Sequence, residues 1–482
     1  MIKNSPYDQA VERLASHPIV TIATGATCAY LGDERNLREF LIADETARRL
    51  RIAGHTVFTL LIDDSLDPLN FRQLRVAVDK DPELMERYMP WCGRPISLLP
   101  DPWGCHDSYA AHFEQKLLDR LHTLDCHPAL ISTASLYRNG VYAPYVREIL
   151  ERHDEVLDFL RGRFPDYTPD KLFWVLCPDC GYIDETRIES IAPPHLDFSC
   201  GRCARKIRTR IDGVQGKFNW KLDCALRWAI FNIHAEPFSK AYLEPQAGSF
   251  VVAQALSEQF FQGHQVLPLH YGTIKMDRSI SYKLLGSLPP AALRALLVAR
   301  PTTDLTLTHD VVIASASQHE ALPGLSFLEV VRQMLPLWLL TPQSLSTVQR
   351  DLLSRGVVFS KHFLNEPICF HFPTRESLHE AAPGVVYSLS CLLSQVIALR
   401  QNTLGAEPSQ EAIKVILSSL GPQKKTAYHC LRQLTGQEHG LPITRLLVAL
   451  PLTYVQLLVD LMELHLDTLA SPASQPFLRV AA

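Results

Sequence analysis

Residues 21–40 read TIATGATCAYLGDERNLREF, and this stretch decides the fold of the first part of the chain. The β-branched run at residues 19–22 predicts a buried strand, and Gly25 permits a sharp turn after it. Apolar residues at helical spacing over residues 37–47 predict a following helix. This order of strand, loop and helix is how an α/β fold directs a helix N-terminus at a phosphate group. We therefore expect a nucleotide-binding fold.

The same stretch resembles the class I lysyl-tRNA synthetases, in which T-G-x-T-P-S-G leads through H-I-G-N into L-R-E. The positions that match without a gap are Gly25, Thr27, Asn36, Leu37, Arg38 and Glu39. The ungapped match puts Asp33 in the place of the family's histidine, Glu34 on the isoleucine and Arg35 on the glycine. We therefore expect the family's strand, loop and helix at this site, with a changed sequence in place of H-I-G-N.

Composition describes a multi-domain protein: 482 residues, 47% hydrophobic and 20% charged, are enough for about two to four cores. The first residues lack the apolar segment of a secretory signal, and no segment reaches the roughly 18 uncharged apolar residues of a membrane span. Twelve cysteines in so long a chain do not indicate a disulfide scaffold. We expect a reduced, cytoplasmic location and no membrane partner.

The formal net charge of −4 argues against an overall basic nucleic-acid binder but is compatible with a local basic patch. Residues 202–210 contain five Lys or Arg, and Lys424 and Lys425 form a smaller group. Each group is suited to contact tRNA or to form an ordinary solvated face, and both interpretations stay open.

A second predicted strand ends in Asp63 and Asp64. Ligands of open α/β sheets collect at the carboxyl ends of strands, so both carboxylates are candidates for a site, and capping of the next turn is an equally good interpretation. The segment resembles the family's D-D-x-D-P-L, which favours the site. By that resemblance the carboxylates are partners for an ammonium group of a lysine substrate.

Residues 101–113, DPWGCHDSYAAHF, resemble the family's D-P-x-G-C-H-x-S-Y-A-x-H-F. Cys105, His106 and His112 alone suggest a metal site or a nucleophile. Adjacent cysteine and histidine cannot easily act as nucleophile and base on one another, and the sequence indicates no further ligand. We favour helix packing around a substrate-side loop. Residues 135–142 resemble the family's S-E-x-Y-x-x-G-x-Y, so the resemblance covers the first half of the catalytic domain.

Two C-x₂-C pairs, Cys177 with Cys180 and Cys200 with Cys203, are separated by nineteen residues. Each pair forms a tight knuckle, and two knuckles complete a tetrahedral zinc shell. Because four thiolates leave no open coordination position, the predicted zinc ion is structural. Four reduced, buried cysteines are the alternative. Zinc ribbons also occur at this place in the resembled family, so the ion says little about the reaction.

Residues 216–230 and 236–250 resemble the family's G-K-x-x-W-x-x-D-W-x-x-R-W and E-P-F-G-K-D-H…G-S-Y. The matching positions are Trp220, Asp223, Arg227, Trp228, Glu236, Pro237, Phe238, Lys240, Gly248 and Ser249. Ala241 replaces an aspartate and Tyr242 a histidine, both near where the resemblance places the amino acid and its adenylate. A ring such as Trp220 can lie along a lysine side chain, although a tryptophan at a helix start more often serves packing.

Residues 274–281, IKMDRSIS, stand where the family has the mobile loop K-M-S-S-S-K-G. Lys275, Met276 and Ser279 match, whereas Ile280 replaces the second lysine, which the resemblance places at the triphosphate. The segment between Pro268 and Lys275 is also shorter than the family's.

These departures concern the groups that amino-acid activation needs. Losing one donor to the charge that builds on the α-phosphate of ATP commonly costs about 10²–10³ in rate. Asp33 at a helix N-terminus also accepts the free N–H groups itself and repels phosphate. The cations that can rebuild a phosphate clamp are Arg35, Arg38, Lys275 and Arg278, and Asp33 or Asp277 can hold Mg²⁺. We expect a weakened or redirected reaction.

Residues 291–482 are predicted to be helical throughout. Pro289 and Pro290 favour a helix start, and later helices are indicated by three- and four-residue apolar spacing over residues 325–340, 385–400, 410–420 and 446–466. Residues 427–442 loosely resemble the end of the synthetases' helical anticodon-binding domain.

The expected fold is α/β: a Rossmann-like class I aminoacyl-tRNA synthetase catalytic domain with an inserted zinc ribbon and a C-terminal all-α domain. The expected limits are 1–167 for the first half of the catalytic domain, 168–212 for the ribbon, 213–290 for the second half and 291–482 for the helical domain.

The resemblance implies three groups of site residues. The catalytic group is Asp33, Lys275 and Arg278. The substrate group is Gly25, Thr27, Asp63, Asp64, Trp220, Glu236, Tyr242 and Tyr271. The nucleotide group is Asn36, Arg38, Lys275, Met276 and Ser279.

Three function classes stay open. The first is an enzyme that activates lysine or an analogue with ATP and Mg²⁺ and transfers it to tRNA. The second is an ATP-dependent ligase or transferase of small-molecule metabolism with a changed acceptor, which the altered Ala241 and Tyr242 fit. The third is a non-catalytic regulator that binds tRNA, lysine or an adenylate.

Overall fold

The computed structural model describes residues 5–32, 36–167, 169, 171–278, 280, 282–339, 343, 345–364, 373–402, 410–436 and 442–470. It divides into two compact units, Met1–Met276 with Arg294–Thr306 and Asp277–Leu293 with Leu307–Ala482. The domain limits at 167, 212 and 290 stay predictions. Among the expected site residues, Asp33 and Ser279 lie outside the described parts, as do Glu34 and Arg35.

A parallel five-stranded sheet is the centre of the first unit. The strands of this unit are β1 (Ile19–Ala26), β2 (Thr56–Asp63), β3 (Ala129–Ser132), β4 (Phe173–Val175), β5 (Thr186–Ala192), β6 (His195–Cys200), β7 (Arg205–Arg210), β8 (Gly216–Phe218), β9 (Ala235–Ser239), β10 (Leu267–Tyr271) and β11 (Ile274–Met276). The central sheet has the order β10-β9-β1-β2-β3, and all its neighbours are parallel. Sequence order reverses between β1 and β9. Open α/β sheets bind ligands at such a point, beyond the carboxyl ends of the strands.

Helices precede and follow these strands. They are α1 (Pro6–Arg13), α2 (Leu37–Ile52), α3 (Phe71–Ala77), α4 (Pro82–Tyr88), α5 (Tyr109–Thr123), α6 (Thr133–Arg138), α7 (Ala143–Glu151), α8 (His153–Arg163), α9 (Trp220–Ile230) and α10 (Ser249–Phe260). Local signals account for several starts. Ser5 and Asp8 cap α1 reciprocally, with Pro6 at its first position, and the Asn219 side chain accepts the N–H of Lys221 at the start of α9.

Helices cover the sheet on both faces. Ile22 of β1 lies in one buried cluster with Ile42 of α2, whereas the next residue, Ala23, lies in another with Leu222 of α9 and Val252 of α10. Successive strand side chains point to opposite faces, so a strand covered on both sides is apolar on both. This explains the run of β-branched residues at the start of β1.

A separate antiparallel sheet carries the cysteine motifs. It consists of β5, β6 and β7, and Cys200 ends β6. The segment that contains it lies between β4 and β8 in the chain, and these two strands pair with each other, Phe173 opposite Phe218. An insertion can therefore be accommodated here without disturbing the central sheet.

The second unit is mainly helical. Helix α11 (Pro290–Val298) and strand β12 (Leu305–Leu307) contain the limits between the units. The further strands are β13 (Glu320–Leu322) and β14 (Leu325–Ser326). The further helices are α12 (His309–Gln318), α13 (Phe327–Glu329), α14 (Leu335–Trp338), α15 (Thr347–Phe359), α16 (Pro383–Asn402), α17 (Gln410–Ser418), α18 (Lys424–Thr435), α19 (Ile443–Ala449) and α20 (Leu452–Ala470).

The expectation of helices throughout residues 291–482 is wrong in three places. Residues Leu305–Leu307 form strand β12, which pairs with β11. β13 and β14 form a hairpin, in which Gly324 has a φ of +73°, a conformation that glycine adopts without strain. The helix expected over residues 446–466 is broken near Pro451 into α19 and α20, which are bent by 112°. Proline has no N–H for a helix interior and its ring disturbs the preceding turn, so the helix restarts there.

By length and composition one described helix, α16, is apolar enough to cross a membrane, and α19 with α20 would count as another if the bent pair were one span. In the structure α16 packs against α17, α18 and α20. Core helices of compact proteins pass the same test, so these helices are weak indicators of a membrane span.

Candidate active site

Two adjoining cavities open at the carboxyl end of the central sheet. The inner cavity has a volume of about 460 Å³ and the outer about 610 Å³. The residues that line both are Gly25, Ala26, Thr27, Glu39, Gln73 and Tyr242. Most come from the end of β1, the first turn of α2 and the segment after β9, which is the point where sequence order reverses.

The structure brings most of the expected substrate and nucleotide residues to these cavities. The inner cavity is lined by Gly25, Thr27, Asp64, Trp220, Glu236 and Tyr242 from that set. The outer cavity is lined by Gly25, Thr27, Asn36, Arg38, Tyr242 and Tyr271. Residues far apart in the chain therefore meet at one place.

Asp63 and Asp64, at the end of β2, have different surroundings. The Oδ1 of Asp63 accepts the N–H of Cys28 at 2.6 Å, and Asp63 is outside the lining of both cavities. Burial and the neighbouring Glu114 carboxyl raise the pKa of Asp63 well above its ordinary value. Asp64 lines the inner cavity, and burial raises its pKa to about 7, although the nearby Arg227 guanidinium lowers it. Of the two, Asp64 is available to a ligand.

A buried lysine and a third carboxylate complete this side of the inner cavity. Lys217 is 4% exposed, and its Nζ contacts the Oδ1 of Asp67. The hydroxyl of Thr27 donates to the other Asp67 oxygen at 2.6 Å. Burial lowers the pKa of Lys217, but the charges of Asp67 and Asp64 outweigh it and leave the pKa above its ordinary value. The lysine is therefore charged and committed to the carboxylates.

Arg227 lies beneath the end of β1. Its Nη2 donates to the Oε1 of Glu236 at 3.0 Å, and its Nη1 is 3.7 Å from the Oδ1 of Asp64. The indole N–H of Trp228 donates to the other oxygen of Glu236. A Cβ at position 25 would lie 2.9 Å from the Nη2 of Arg227, so a side chain there would force the guanidinium to shift.

Glu39 and Tyr271 form a pair between the two cavities. The Tyr271 hydroxyl donates to the Oε2 of Glu39 at 2.8 Å. Burial raises the pKa of Glu39 to about 7; the Glu236 charge adds to this, while the bond from Tyr271 and the amide of Gly25 lower it. A carboxylate that is hard to ionise without a partner is suited to receive a cation.

The inner cavity has an excess of carboxylates. Its lining includes four, Glu39, Asp64, Asp67 and Glu236, against the two cations Lys217 and Arg227. Uncompensated buried charge is unfavourable, and a positively charged ligand removes part of that cost. The cavity is therefore suited to a ligand with ammonium groups.

The outer cavity lies at the start of α2. Asn36, immediately before that helix, is exposed and makes no capping bond through its side chain. Arg38 is 2% exposed, and its guanidinium donates to the carbonyl oxygens of Gly272 and Arg300, both at 2.6 Å, and of Thr303 at 3.2 Å. Arg38 thus fixes the loop before β11.

The expected loop residues lie elsewhere. Lys275 and Met276 are on β11 and are not among the described residues that line either cavity. Arg278 is exposed and belongs to the second unit. Ile280, in the place of the second lysine, is buried at 6% exposure.

Four sulfur atoms converge in the ribbon. The Sγ atoms of Cys177 and Cys203 are 3.7 Å apart, those of Cys180 and Cys200 are 3.6 Å apart, and all four lie within 4.8 Å of one another. A disulfide would need about 2.0 Å. Zinc–sulfur bonds of about 2.3 Å give a tetrahedron with edges of about 3.8 Å. The group is compatible with a zinc ion.

A second donor group surrounds Cys105. Asp101, Cys105, His106 and His112 place one ligand atom each within 4.8 Å of the others. The sequence-based expectation that no further ligand accompanies the cysteine and histidines is wrong, because Asp101 supplies it. Its Oδ2 accepts the amide N–H groups of Cys105 and His106, both at 2.8 Å. One carboxylate, one thiolate and two imidazoles are a donor set that zinc accepts.

Residues 8–323 match the family model described as tRNA synthetases class I (K). The chain belongs to the class I lysyl-tRNA synthetase family. This family assignment confirms the resemblance of the motifs and the expected class I α/β fold. The two cavities therefore lie in the part of the chain that matches this family.

Curated relatives agree with this assignment. The chain is 30% identical to the lysine–tRNA ligase of Archaeoglobus fulgidus over 60% of its own length and 58% of the relative's. It is 28% identical to the lysine–tRNA ligase of Methanosphaera stadtmanae over 52% of its own length and 46% of the relative's. The match spans about half the length of these relatives. A solved structure of arginyl-tRNA synthetase from Thermus thermophilus aligns with 96% of this chain and with 85% of that structure's chain. The identity is 14% and the TM-score is 0.32.

The sequence did not assign several residues that the structure brings to the inner cavity. Glu39, Asp67, Lys217 and Arg227 all line it. Glu39 and Arg227 stood among the matching positions, and Asp67 follows the paired aspartates in the D-D-x-D-P-L segment. Their motifs were visible, but their shared cavity follows only from the fold.

Proposed function

We propose that this chain binds lysine, or an amino acid of similar charge, in the inner cavity and ATP in the outer cavity, and that adenylate formation is slow or serves a changed acceptor. The observation that carries the proposal is the inner cavity's excess of carboxylates beside a nucleotide-type strand, loop and helix. Membership of the lysyl-tRNA synthetase family supports an amino acid, ATP and tRNA as substrates, with Mg²⁺ as the metal that accompanies ATP.

The charges support a ligand with two ammonium groups. Lysine has one at its α-carbon and one on its side chain. Its carboxylate loses its negative charge when it is bonded to the α-phosphate in an adenylate. Glu39, with Tyr271 behind it, is suited to one ammonium group, and Asp64 to the other. Gly25 and Thr27, which line both cavities, are suited to the place where the amino acid meets ATP.

The nucleotide part supports a slower reaction. Ile280 is buried where the resembled loop has a lysine, and Arg38 is engaged with backbone carbonyls. Activation relies on prepositioned positive groups around the α-phosphate. Asp33, Lys275 and Arg278 stay catalytic proposals, and Asn36, Met276 and Ser279 stay nucleotide-binding proposals.

The four ribbon thiolates are proposed to hold a structural zinc ion, because their spacing fits a closed tetrahedral shell. We place the protein in the cytoplasm, where such thiolates stay reduced.

A changed acceptor is the second candidate function. It is favoured by Tyr242, which lines both cavities where the resembled motif has a histidine, with Ala241 beside it in place of an aspartate. A ligase or transferase of small-molecule metabolism would keep the amino-acid cavity and transfer to another nucleophile.

Pyrophosphate exchange driven by each amino acid tests activation. Exchange with lysine or a close analogue is expected, and a flat result with every amino acid contradicts both enzyme proposals. Direct calorimetric binding of lysine then separates a non-catalytic binder from a chain without an amino-acid site. Salt-dependent gel shifts with tRNA separate a tRNA-linked role from metabolite chemistry.

A further inference from the structure

Aromatic rings wall part of the inner cavity. Trp220, Phe238 and Tyr242 all line it. The Tyr242 ring is 5.9 Å from that of Trp220 with planes at 79°, and 6.1 Å from that of Phe238 with planes at 77°. Tyr242 is 41% exposed, whereas Phe238 is buried. Nearly perpendicular rings that border a cavity form the walls of an open box.

Of the four carboxylates that line the inner cavity, Glu39 is the one whose charge acts on Tyr242. Glu39 lines the inner cavity with these rings, and its charge raises the pKa of Tyr242 in addition to burial. Glu39 already accepts the Tyr271 hydroxyl, so at least one of its roughly four lone-pair sites is occupied.

These features suit a methylated ammonium group better than a bare one. An unmethylated ammonium has three N–H donors that need acceptors, whereas each methyl group replaces a donor by an apolar surface. Ring faces attract such cations electrostatically, and aromatic boxes with a carboxylate are a recurrent solution for methylated amines. The volume of about 460 Å³ leaves room for added methyl groups.

We propose that the inner cavity prefers an amino acid whose side-chain amine is methylated, as in N6-methylated lysines, and that Tyr242 determines this preference. The inference rests on the proposed function, namely that this cavity binds an amino acid. Tyr242 is a specificity-determining residue in this scheme and takes no part in bond making. Its ring provides the wall between Trp220 and Phe238.

Calorimetry on the purified full chain tests the preference. The ligands are L-lysine, its N6-mono-, di- and trimethyl forms, and norleucine as an uncharged control. We expect affinity to rise with methylation, with the trimethyl form about tenfold tighter than lysine, and norleucine weakest. Equal or weaker binding of the methylated forms than of lysine overturns the inference but leaves the proposed function intact. Absence of binding by every ligand overturns both.

Variants at position 242 separate the ring from mere volume. Tyr242→Phe keeps the ring and should keep the preference. Tyr242→Leu keeps apolar bulk and should reduce the trimethyl-to-lysine ratio about tenfold. Tyr242→His installs the residue of the resembled motif and should shift the ratio towards lysine. An unchanged ratio in the leucine variant contradicts the role of Tyr242, and the ligand series with the unaltered chain does not depend on any variant folding.

Discussion

Replacing Glu39 by glutamine should stabilise the unliganded protein above neutral pH while it weakens amino-acid binding. Glu39 has a folded-state pKa of about 7 against an ordinary 4.5. A rise of that size corresponds to about 3 kcal/mol, at 1.36 kcal/mol for each pKa unit. Because the folded pKa is the higher one, the stability from the protonated form is complete below about pH 4.5 and is lost as the pH rises to about 7.

Glutamine keeps an oxygen for the Tyr271 hydroxyl but does not titrate. The unaltered chain should therefore lose about 2 kcal/mol from this group between pH 5.5 and pH 8, and the variant none. Chemical denaturation of both proteins at the two pH values measures this difference. Lysine affinity at pH 8 should fall about 10- to 100-fold, because a hydrogen-bonded charge is lost.

The control is Glu12→Gln on α1, whose side chain is exposed, and which should change neither quantity. An equal stability difference between Glu39→Gln and the unaltered chain at both pH values would refute the titration argument. Unchanged lysine affinity would refute the assignment of Glu39 to the ammonium group.

Four further outcomes are expected. Amino-acid affinity should rise about 10- to 100-fold from pH 6 to pH 8, because Glu39 and Asp64 both have pKa values of about 7. An ammonium ligand binds the charged forms of both carboxylates, so calorimetry in two buffers should show that binding releases protons. Gly25→Ala should lower lysine affinity and cost about 1–3 kcal/mol in denaturation, because its Cβ would crowd the Arg227 guanidinium. Cys180→Ser should remove one equivalent of zinc by elemental analysis and destabilise the ribbon. His112→Ala should remove a second metal equivalent, and an unchanged content would show that the donor group around Asp101 is empty.

Local sequence patterns predicted the elements around the site because the relevant signals are local. The run at the start of β1 and the apolar spacing of α2 depend on residues close in the chain, and both elements appear within a few positions of the expectation. The helical region was less predictable. A proline break near Pro451 and a hairpin at Gly324 depend on single residues inside an otherwise helical pattern.

The inner cavity could be predicted only in part. Motif matches supplied Trp220 and Glu236, but which side chains share a cavity depends on how distant strands align. Asp63 and Asp64 are neighbours in sequence, yet only Asp64 lines the cavity, because successive side chains at a strand end point to opposite sides. The raised pKa values of Glu39 and Asp64 could not be predicted from the sequence either, since they follow from burial among residues far apart in the chain.

The role of Arg38 bears directly on how well this site can activate an amino acid. Among the described residues that line the outer cavity, Arg38 supplies the cation. Its guanidinium nevertheless bonds the carbonyl oxygens of Gly272, Arg300 and Thr303. Releasing it towards phosphate would break its bonds to Arg300 and Thr303 and leave the buried Gly272 carbonyl without this donor, and the unsatisfied carbonyl alone costs about 1–3 kcal/mol. Arg38 is therefore better suited to shaping the nucleotide cavity through the loop before β11 than to contacting a triphosphate, which supports slow adenylate formation.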